Sequence, residues 1–225
     1  MAEIVKLTGI NKDYGRNNVI VHALKDVNFC LQSGDFAAVF GPSGSGKTTL
    51  LNLIGGLDKP TRGVVEVDGI VLNKLSMTRL SLLRRDRIGF IFQSYNLVPV
   101  FTAMENAEYI LMLQGVYKSK RRKIVGKLLE EVGLGGMENR FPRELSGGQQ
   151  QRVAIARAIA AAPAIVLADE PTANVDSDTA AGIMKLLQRL NQEKNITFLY
   201  SSHDKNVIRY AERLFQLKDG QLEEK

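Results

Sequence analysis

Cysteine is almost absent: Cys30 stands alone among 225 residues, which excludes a disulfide framework within the chain and fits a reducing compartment. Its place in the apolar run Val27-Asn28-Phe29-Cys30-Leu31 predicts a buried structural thiol, not a nucleophile. Long apolar runs are missing too. The most apolar region, Val153 to Ala168, is broken by Arg157 and Pro163, so it falls short of the roughly 20 residues a spanning helix needs. The stretch from Met1 to Lys6 has neither the basic start nor the long apolar core of a signal peptide. Internal repeats and low-complexity tracts are not visible. What remains is a chain expected in the cytoplasm, with no direct bilayer insertion.

With 44% hydrophobic residues the chain can bury a sizeable core. Its net charge of +6 and pI near 9.4 suit nucleic acid, an anionic membrane surface or simply a solvated basic exterior, and charge alone does not choose among them. The densest basic run, Lys118-Ser119-Lys120-Arg121-Arg122-Lys123, precedes the helical pattern Ile124, Leu128, Leu129, Val132. It reads mainly as the wet start of a surface helix, with lipid headgroup contact as the alternative.

One stretch organises the rest. Gly41-Pro42-Ser43-Gly44-Ser45-Gly46-Lys47-Thr48 satisfies every fixed position of the phosphate-binding pattern G-x-x-x-x-G-K-[ST]. Phe36 to Phe40 before it suits a buried strand, and Thr49 to Ile54 after it reads as a helix, which is the context the motif requires. Glycines let the backbone curl with its N–H groups inward, the helix N-terminus adds partial positive charge, and Lys47 brings a full charge to the terminal phosphates. The hydroxyl of Thr48 is a ligand for magnesium. A nucleoside triphosphate and Mg2+ are therefore the expected ligands, with the phosphate-binding set running from Gly41 to Thr49.

Around that loop the patterning predicts an α/β fold: a P-loop core with a mainly parallel sheet, an N-terminal antiparallel β layer and an inserted helical subdomain. Residues 4–31 alternate as antiparallel strands, with turn signals at Tyr14-Gly15-Arg16-Asn17-Asn18, and Asp68-Gly69 marks a hairpin. A helix is expected over 77–87 and a strand over 88–92. From 94 to 145 no strong strand is visible and helical patterns are separated by Val98-Pro99, Gly115, Gly133 and Pro142. The core resumes with a helix over 149–161, a strand over 164–168, a helix carrying Ile183, Leu186, Leu187 and Leu190, and a strand over 196–200. One domain over 1–225 results, with 1–93 and 146–225 as nucleotide-binding core and 94–145 as helical subdomain.

Asp169 and Glu170 follow the buried strand Ile165-Val166-Leu167-Ala168, at the carboxyl end where ligands sit in parallel sheets. Asp169 is placed to hold magnesium and Glu170 to orient and polarise the attacking water.

Leu145-Ser146-Gly147-Gly148-Gln149, followed by Gln150-Gln151-Arg152, resembles without substitution the signature of ATP-binding-cassette (ABC) transporter ATPases. A serine and two glycines opening a helix make a second anion site. The resemblance, which runs from about Ile4 to Gly220, implies that Ser146, Gly147, Gly148 and Gln149 face the nucleotide bound on a partner subunit. It also implies that Tyr14 stacks on adenine, with surface packing as a rival reading for a tyrosine in a turn. Gln93 would touch magnesium and join the core to the helical insert, His203 would contact the γ-phosphate, and Asp176 would reach across the dimer. The segment Ala173-Asn174-Val175-Asp176 departs from the family in having Ala and Val where a small residue and Leu are more usual, which bears on inter-subunit geometry. Catalysis would rest on Glu170, His203, Gln93 and Lys47, and metal binding on Thr48, Gln93 and Asp169.

A finer likeness lies in Gly56-Leu57-Asp58-Lys59-Pro60-Thr61, in Gly89 to Pro99 and in Ala103-Met104-Glu105-Asn106, which resemble the branch of lipoprotein-release, macrolide-export and cell-division ATPases. The implied activity is ATP hydrolysis in which a head-to-tail dimer closes and reopens to drive an integral membrane transporter subunit from the inner face of the membrane. Export or extraction of a lipoprotein, peptide or drug-like molecule is the expected output. Control of a wall hydrolase is the alternative within the branch. A nucleic-acid-maintenance ATPase is the rival from another class, but its relatives insert a long coiled coil or a second cassette, neither of which is present, so no nucleic acid is expected. Leu97, Val98, Val100 and Phe101, near Gln93, are expected to form the groove that receives a helix of the membrane partner.

Overall fold

A computed structural model describes residues 2–16 and 19–225. Two long strands, β1 (Glu3–Arg16) and β2 (Val19–Gln32), pair antiparallel. Asn17 and Asn18 of the expected turn lie outside the described residues. Tyr14 is not in a turn but within β1, opposite Val21. With β4 (Arg62–Val67) and β5 (Ile70–Val71) these strands form a sheet ordered β2-β1-β4-β5. The Asp68-Gly69 hairpin is present, both residues having positive φ (51° and 72°) as a primed two-residue turn requires.

The second sheet is ordered β10-β9-β3-β8-β7-β6, comprising β3 (Phe36–Phe40), β6 (Ile88–Ile91), β7 (Ile165–Asp169), β8 (Thr197–Ser202), β9 (Arg213–Lys218) and β10 (Gln221–Glu224). All its neighbours are parallel except β9 and β10. That terminal hairpin was not anticipated. Its turn is another Asp-Gly pair, Asp219-Gly220, with positive φ at both.

Alternation along the central strands divides the core between two faces. Phe36, Ala38, Val166, Ala168, Phe198 and Tyr200 point to one face, covered by the helices that follow β6. Ala37, Val39, Ile165, Leu167 and Leu199 point to the other, filled by α1 (Lys47–Ile54) and the antiparallel sheet. Because both faces are covered, these strands read as continuous apolar runs.

The helix α2 (Met77–Arg87) has its expected bounds, opened by Ser76, whose side chain accepts from Arg79 N. Residues 94–145 hold α3 (Ala103–Leu113) and α4 (Lys118–Glu131) and, among the described residues, no strand. The basic run does open α4, although Arg121 is drawn inward to the buried Glu108 at 3.0 Å. Ala103, Ala107, Leu111, Val125 and Leu129 share one cluster with the face of the sheet carrying Phe36. Next come α5 (Gly147–Ile159), α6 (Ser177–Lys194) and the short α7 (Lys205–Ile208). The helix α5 starts two residues before the expected Gln149 because Ser146 caps it, and β7 runs to Asp169, one residue farther than expected.

One side chain differs from expectation. Cys30 is half-buried, not buried, with Sγ 3.5 Å from Glu3 Oε1, and burial raises its thiol pKa. In the segment Leu97 to Phe101, Leu97 packs on the core and Val100 projects outward at 74% exposure. The buried side chain of Asn106 straps down the backbone of Val98, Phe101 and Thr102. An apolar groove does lie nearby, walled by Leu57, Phe90, Phe92, Tyr109 and Ile110.

Candidate active site

The loop after β3 wraps the N-terminus of α1. Gly44 and Gly46 adopt φ of 77° and 107°, backbone that a side chain resists. At Gly46 a Cβ would also come 2.6 Å from the carbonyl of Ala23, so this glycine is required twice over. No side chain caps α1, leaving its first N–H groups for an anion. Lys47 is 8% exposed and donates from Nζ to the carbonyls of Gly41 (2.9 Å) and Pro42 (3.1 Å), which keep its charge within the loop. Ser45 Oγ is buried and, among the described residues, has no partner.

Parallel pairing of β7 with β8 sets Asp169 beside Ser201. Ser201 Oγ donates to Asp169 Oδ1 (2.6 Å), and Thr48 Oγ1 donates to Asp169 Oδ2 (2.9 Å). The same serine oxygen accepts from the N–H of Glu170 (3.0 Å), a residue at φ 47°. This bond and the turn bond from Ala173 N to Glu170 O hold the left-handed backbone. Glu170 Oε1 lies 2.8 Å from His203 Nδ1. Lys47, Thr48, Thr49, Gln93, Asp169, Glu170 and His203 thus face one cavity of about 940 Å³, together with Pro42, Ser43, Gly44 and Gly46. Gly41 lies beneath it, pressed on the carbonyl of Leu217 so closely that no Cβ fits.

At its far end the cavity meets Tyr14, Val21, His22, Ala23, Lys25, Asp219 and Gly220. The hydroxyl of Tyr14 donates to Asp58 Oδ2 (2.8 Å), and Lys12 Nζ sits 4.7 Å from the ring centroid while bonding Asp58 Oδ1 (2.7 Å). Burial, then the neighbouring Asp58 carboxylate, raise the Tyr14 hydroxyl pKa. For Asp58, burial pushes upward, yet the bonds from Lys12, Tyr14 and the Lys59 N–H hold its carboxyl below the usual range. An aromatic ring fixed at its edge and cushioned on a cation suits stacking of a flat base.

Ser146, Gly147, Gly148, Gln149 and Asp176 are not among the residues lining that cavity. Ser146 and Gln149 form a reciprocal capping box (Ser146 N to Gln149 Oε1 2.9 Å, Gln149 N to Ser146 Oγ 3.3 Å). A cap alone leaves the two glycines unexplained, and packing explains them: a Cβ on Gly147 would meet Tyr95 Oη at 2.8 Å and one on Gly148 would meet Thr179 Cγ2 at 2.5 Å. Asp176 caps α6, and its bonds from the Thr179 hydroxyl (2.6 Å) and N–H (2.9 Å) lower its carboxyl pKa.

Several members of the site were not legible beforehand. Ser201 needs the β7–β8 register, and Lys12 and Asp58 meet across 46 residues of sequence. Only the Asp-Gly signal at 219–220 offered a clue to the terminal turn.

The family model described as "ABC transporter" matches residues 24–173. An ABC transporter ATP-binding protein of Methanocaldococcus jannaschii, MJ0796, is 48% identical over 98% of this chain and 95% of its own length. The solved dimer of that cassette in a post-hydrolysis state with ADP and Pi superposes with TM-score 0.90 at 47% identity, covering 99% of this chain and 98% of that one. The macrolide export ATP-binding/permease protein MacB of Mannheimia succiniciproducens is 42% identical over 97% of this chain, which spans only 34% of that longer protein.

Proposed function

The chain belongs to the ABC transporter family of ATP-binding proteins, and on that premise we propose that two copies close head to tail around two ATP molecules. Each nucleotide lies between the phosphate loop of one copy and the α5 N-terminus of the other. One observation carries this reading: Ser146 to Gln149, at the N-terminus of α5, are not among the residues lining the cavity. The cavity gathers Lys47, Thr48, Asp169, Glu170 and His203, whereas the second helix N-terminus built for an anion stands outside it. In that helix Ser146 satisfies the N–H groups of Gln149 and Gln150, leaving those of Gly147 and Gly148 to an external acceptor.

Within each site Lys47 leaves the loop carbonyls for the β- and γ-phosphates, and Tyr14 stacks on the base. Glu170 orients a water against the γ-phosphorus and takes its proton as the bond to the departing ADP breaks. His203, already hydrogen-bonded to Glu170, contacts the γ-phosphate and keeps that carboxylate aimed. The Thr48 hydroxyl and Asp169 carboxylate, side by side, are hard oxygen donors that fit magnesium, with the Gln93 amide oxygen as a further ligand. A magnesium ion there would neutralise phosphate charge. Asp176 approaches the partner copy across the interface. Because each ATP touches both copies only in the closed pair, binding drives closure and loss of the γ-phosphate allows reopening.

Closure would move residues 94–145 relative to the core. The groove walled by Phe90, Phe92, Tyr109 and Ile110 is proposed to receive a helix of an integral membrane subunit, holding the ATPase at the inner membrane face. Export or extraction of a lipoprotein, peptide or drug-like molecule is the output this reading favours, supported by the likeness to MacB.

Complementation tests the shared site. Lys47→Ala disables a phosphate loop and Ser146→Arg a signature, so each variant alone should hydrolyse almost no ATP. Mixed, they form a heterodimer with one intact composite site and activity should return. No recovery in any mixture would place both elements in the same chain's site.

A further inference from the structure

The side chain of Arg157 reaches from α5 to two backbone carbonyls. Its Nη1 donates to the carbonyl of Asn96 (2.5 Å) and its Nη2 to that of Tyr95 (2.8 Å). Burial depresses the guanidinium pKa, and among the described residues no carboxylate pairs with it. A half-buried cation without a counter-ion is partly desolvated, and the carbonyl dipoles compensate it.

Those carbonyls belong to unusual backbone. Tyr95 and Asn96 are consecutive residues at φ 62° and 48°, a pair of left-handed conformations that L-residues avoid without outside support. The segment is fastened at its other end as well. Tyr95 Oη donates to Asn174 O (3.1 Å), and Asn174 Nδ2 donates to Gln93 O (2.9 Å). Gln93 faces the nucleotide cavity, while Asn96 and Arg157 lie in the wall of the apolar groove.

The geometry points to Arg157 as a positioning residue for hydrolysis: its planar fork holds Tyr95 and Asn96 left-handed and so aims Gln93 into the nucleotide cavity. The assignment rests on the proposed role of Gln93 at the metal and γ-phosphate. Arg157 is not among the residues lining the nucleotide cavity, and its effect passes through the backbone of 93–96.

Arg157→Met, Gln93→Ala and the double variant test this in the full chain. Two readouts are used: ATPase activity as a function of magnesium at saturating ATP, and amide hydrogen exchange of the nucleotide-free protein. Gln93→Ala should lower kcat and raise the magnesium half-saturation. Arg157→Met should lower kcat on the order of tenfold, as expected for a misplaced catalytic contact, and shift the magnesium dependence in the same direction. The double variant should be no worse than Gln93→Ala alone, and exchange should accelerate across residues 93–97 while the sheet stays protected. If Arg157→Met is insoluble, Arg157→Lys, which keeps the charge and loses the fork, is judged by the same criteria. Unchanged exchange at 93–97, or losses that multiply in the double variant, would overturn the positioning role while leaving Gln93 in place. Wild-type behaviour of Gln93→Ala would remove the role of Gln93, and that of Arg157 with it.

Discussion

Asn106→Leu keeps the volume of the side chain and removes its hydrogen bonds. Asn106 is 1% exposed; its Oδ1 accepts from Val98 N (2.7 Å), and its Nδ2 donates to the carbonyls of Val98 (3.1 Å), Phe101 (3.0 Å) and Thr102 (3.0 Å). Not all of these groups are stranded by the change. The Val98 carbonyl still accepts from Phe101 N, and that of Thr102 from Asn106 N. The Val98 N–H and the Phe101 carbonyl lose their partner in a part-buried setting. At roughly 1–3 kcal/mol for each stranded group, partly offset by the added apolar burial, the loss comes to about 2–3 kcal/mol. Equilibrium urea unfolding measures it as a lower midpoint at unchanged slope. A loss below about 0.5 kcal/mol would refute the reasoning, because a strap whose removal strands two groups cannot be that cheap.

Two further perturbations probe the frame around the cavity. Gly89→Ala places a methyl on the carbonyl of Ala158, where β6 meets α5, a backbone contact that cannot yield as a side chain would; a cost of about 2 kcal/mol is expected in the same unfolding assay, and a neutral effect would mean that the layers separate freely. Asp58→Asn tests linkage. The folded carboxyl of Asp58 titrates below its unfolded value, so its contribution is fully present above the unfolded pKa and is lost as pH falls through the lower folded one. Wild type should therefore exceed Asp58→Asn in stability at neutral pH, with the gap closing below about pH 4; a gap independent of pH would remove the ionic account of the Lys12–Asp58–Tyr14 cluster.

Legibility followed the range over which each signal acts. The phosphate loop was readable because its chemistry is local: its glycines, lysine and threonine are contiguous, and the strand and helix beside them have distinct periods. Asp68-Gly69 was readable for the same reason, and Asp219-Gly220 carries the same signal. Tyr14 looked like a turn residue because the Gly15-Arg16-Asn17-Asn18 signals spread over it, while sheet pairing with Val21 carries the strand past it. Ser201 is invisible without the register that sets it beside Asp169, and Asp58 without the contact to Lys12. Arg157 read only as a break in an apolar run, since an arginine is ordinarily solvated; its burial is decided by two carbonyls about 60 residues earlier in the chain, separations of 61 and 62 residues. The segment Leu97 to Phe101 is strapped by Asn106, and the groove beside it is walled by Phe90, Phe92, Tyr109 and Ile110, a meeting of separate stretches that the sequence does not show.

The shared-site dimer is tested most directly by sizing purified Glu170→Gln with and without Mg-ATP. That variant keeps the loop, Thr48 and Asp169 but removes the carboxylate that polarises water, so ATP should bind, remain uncleaved and hold the pair closed. A nucleotide-dependent shift from monomer to dimer is the expected result. A protein that binds Mg-ATP to saturation and stays monomeric would contradict the placing of Ser146 and Gly148 on the partner's nucleotide.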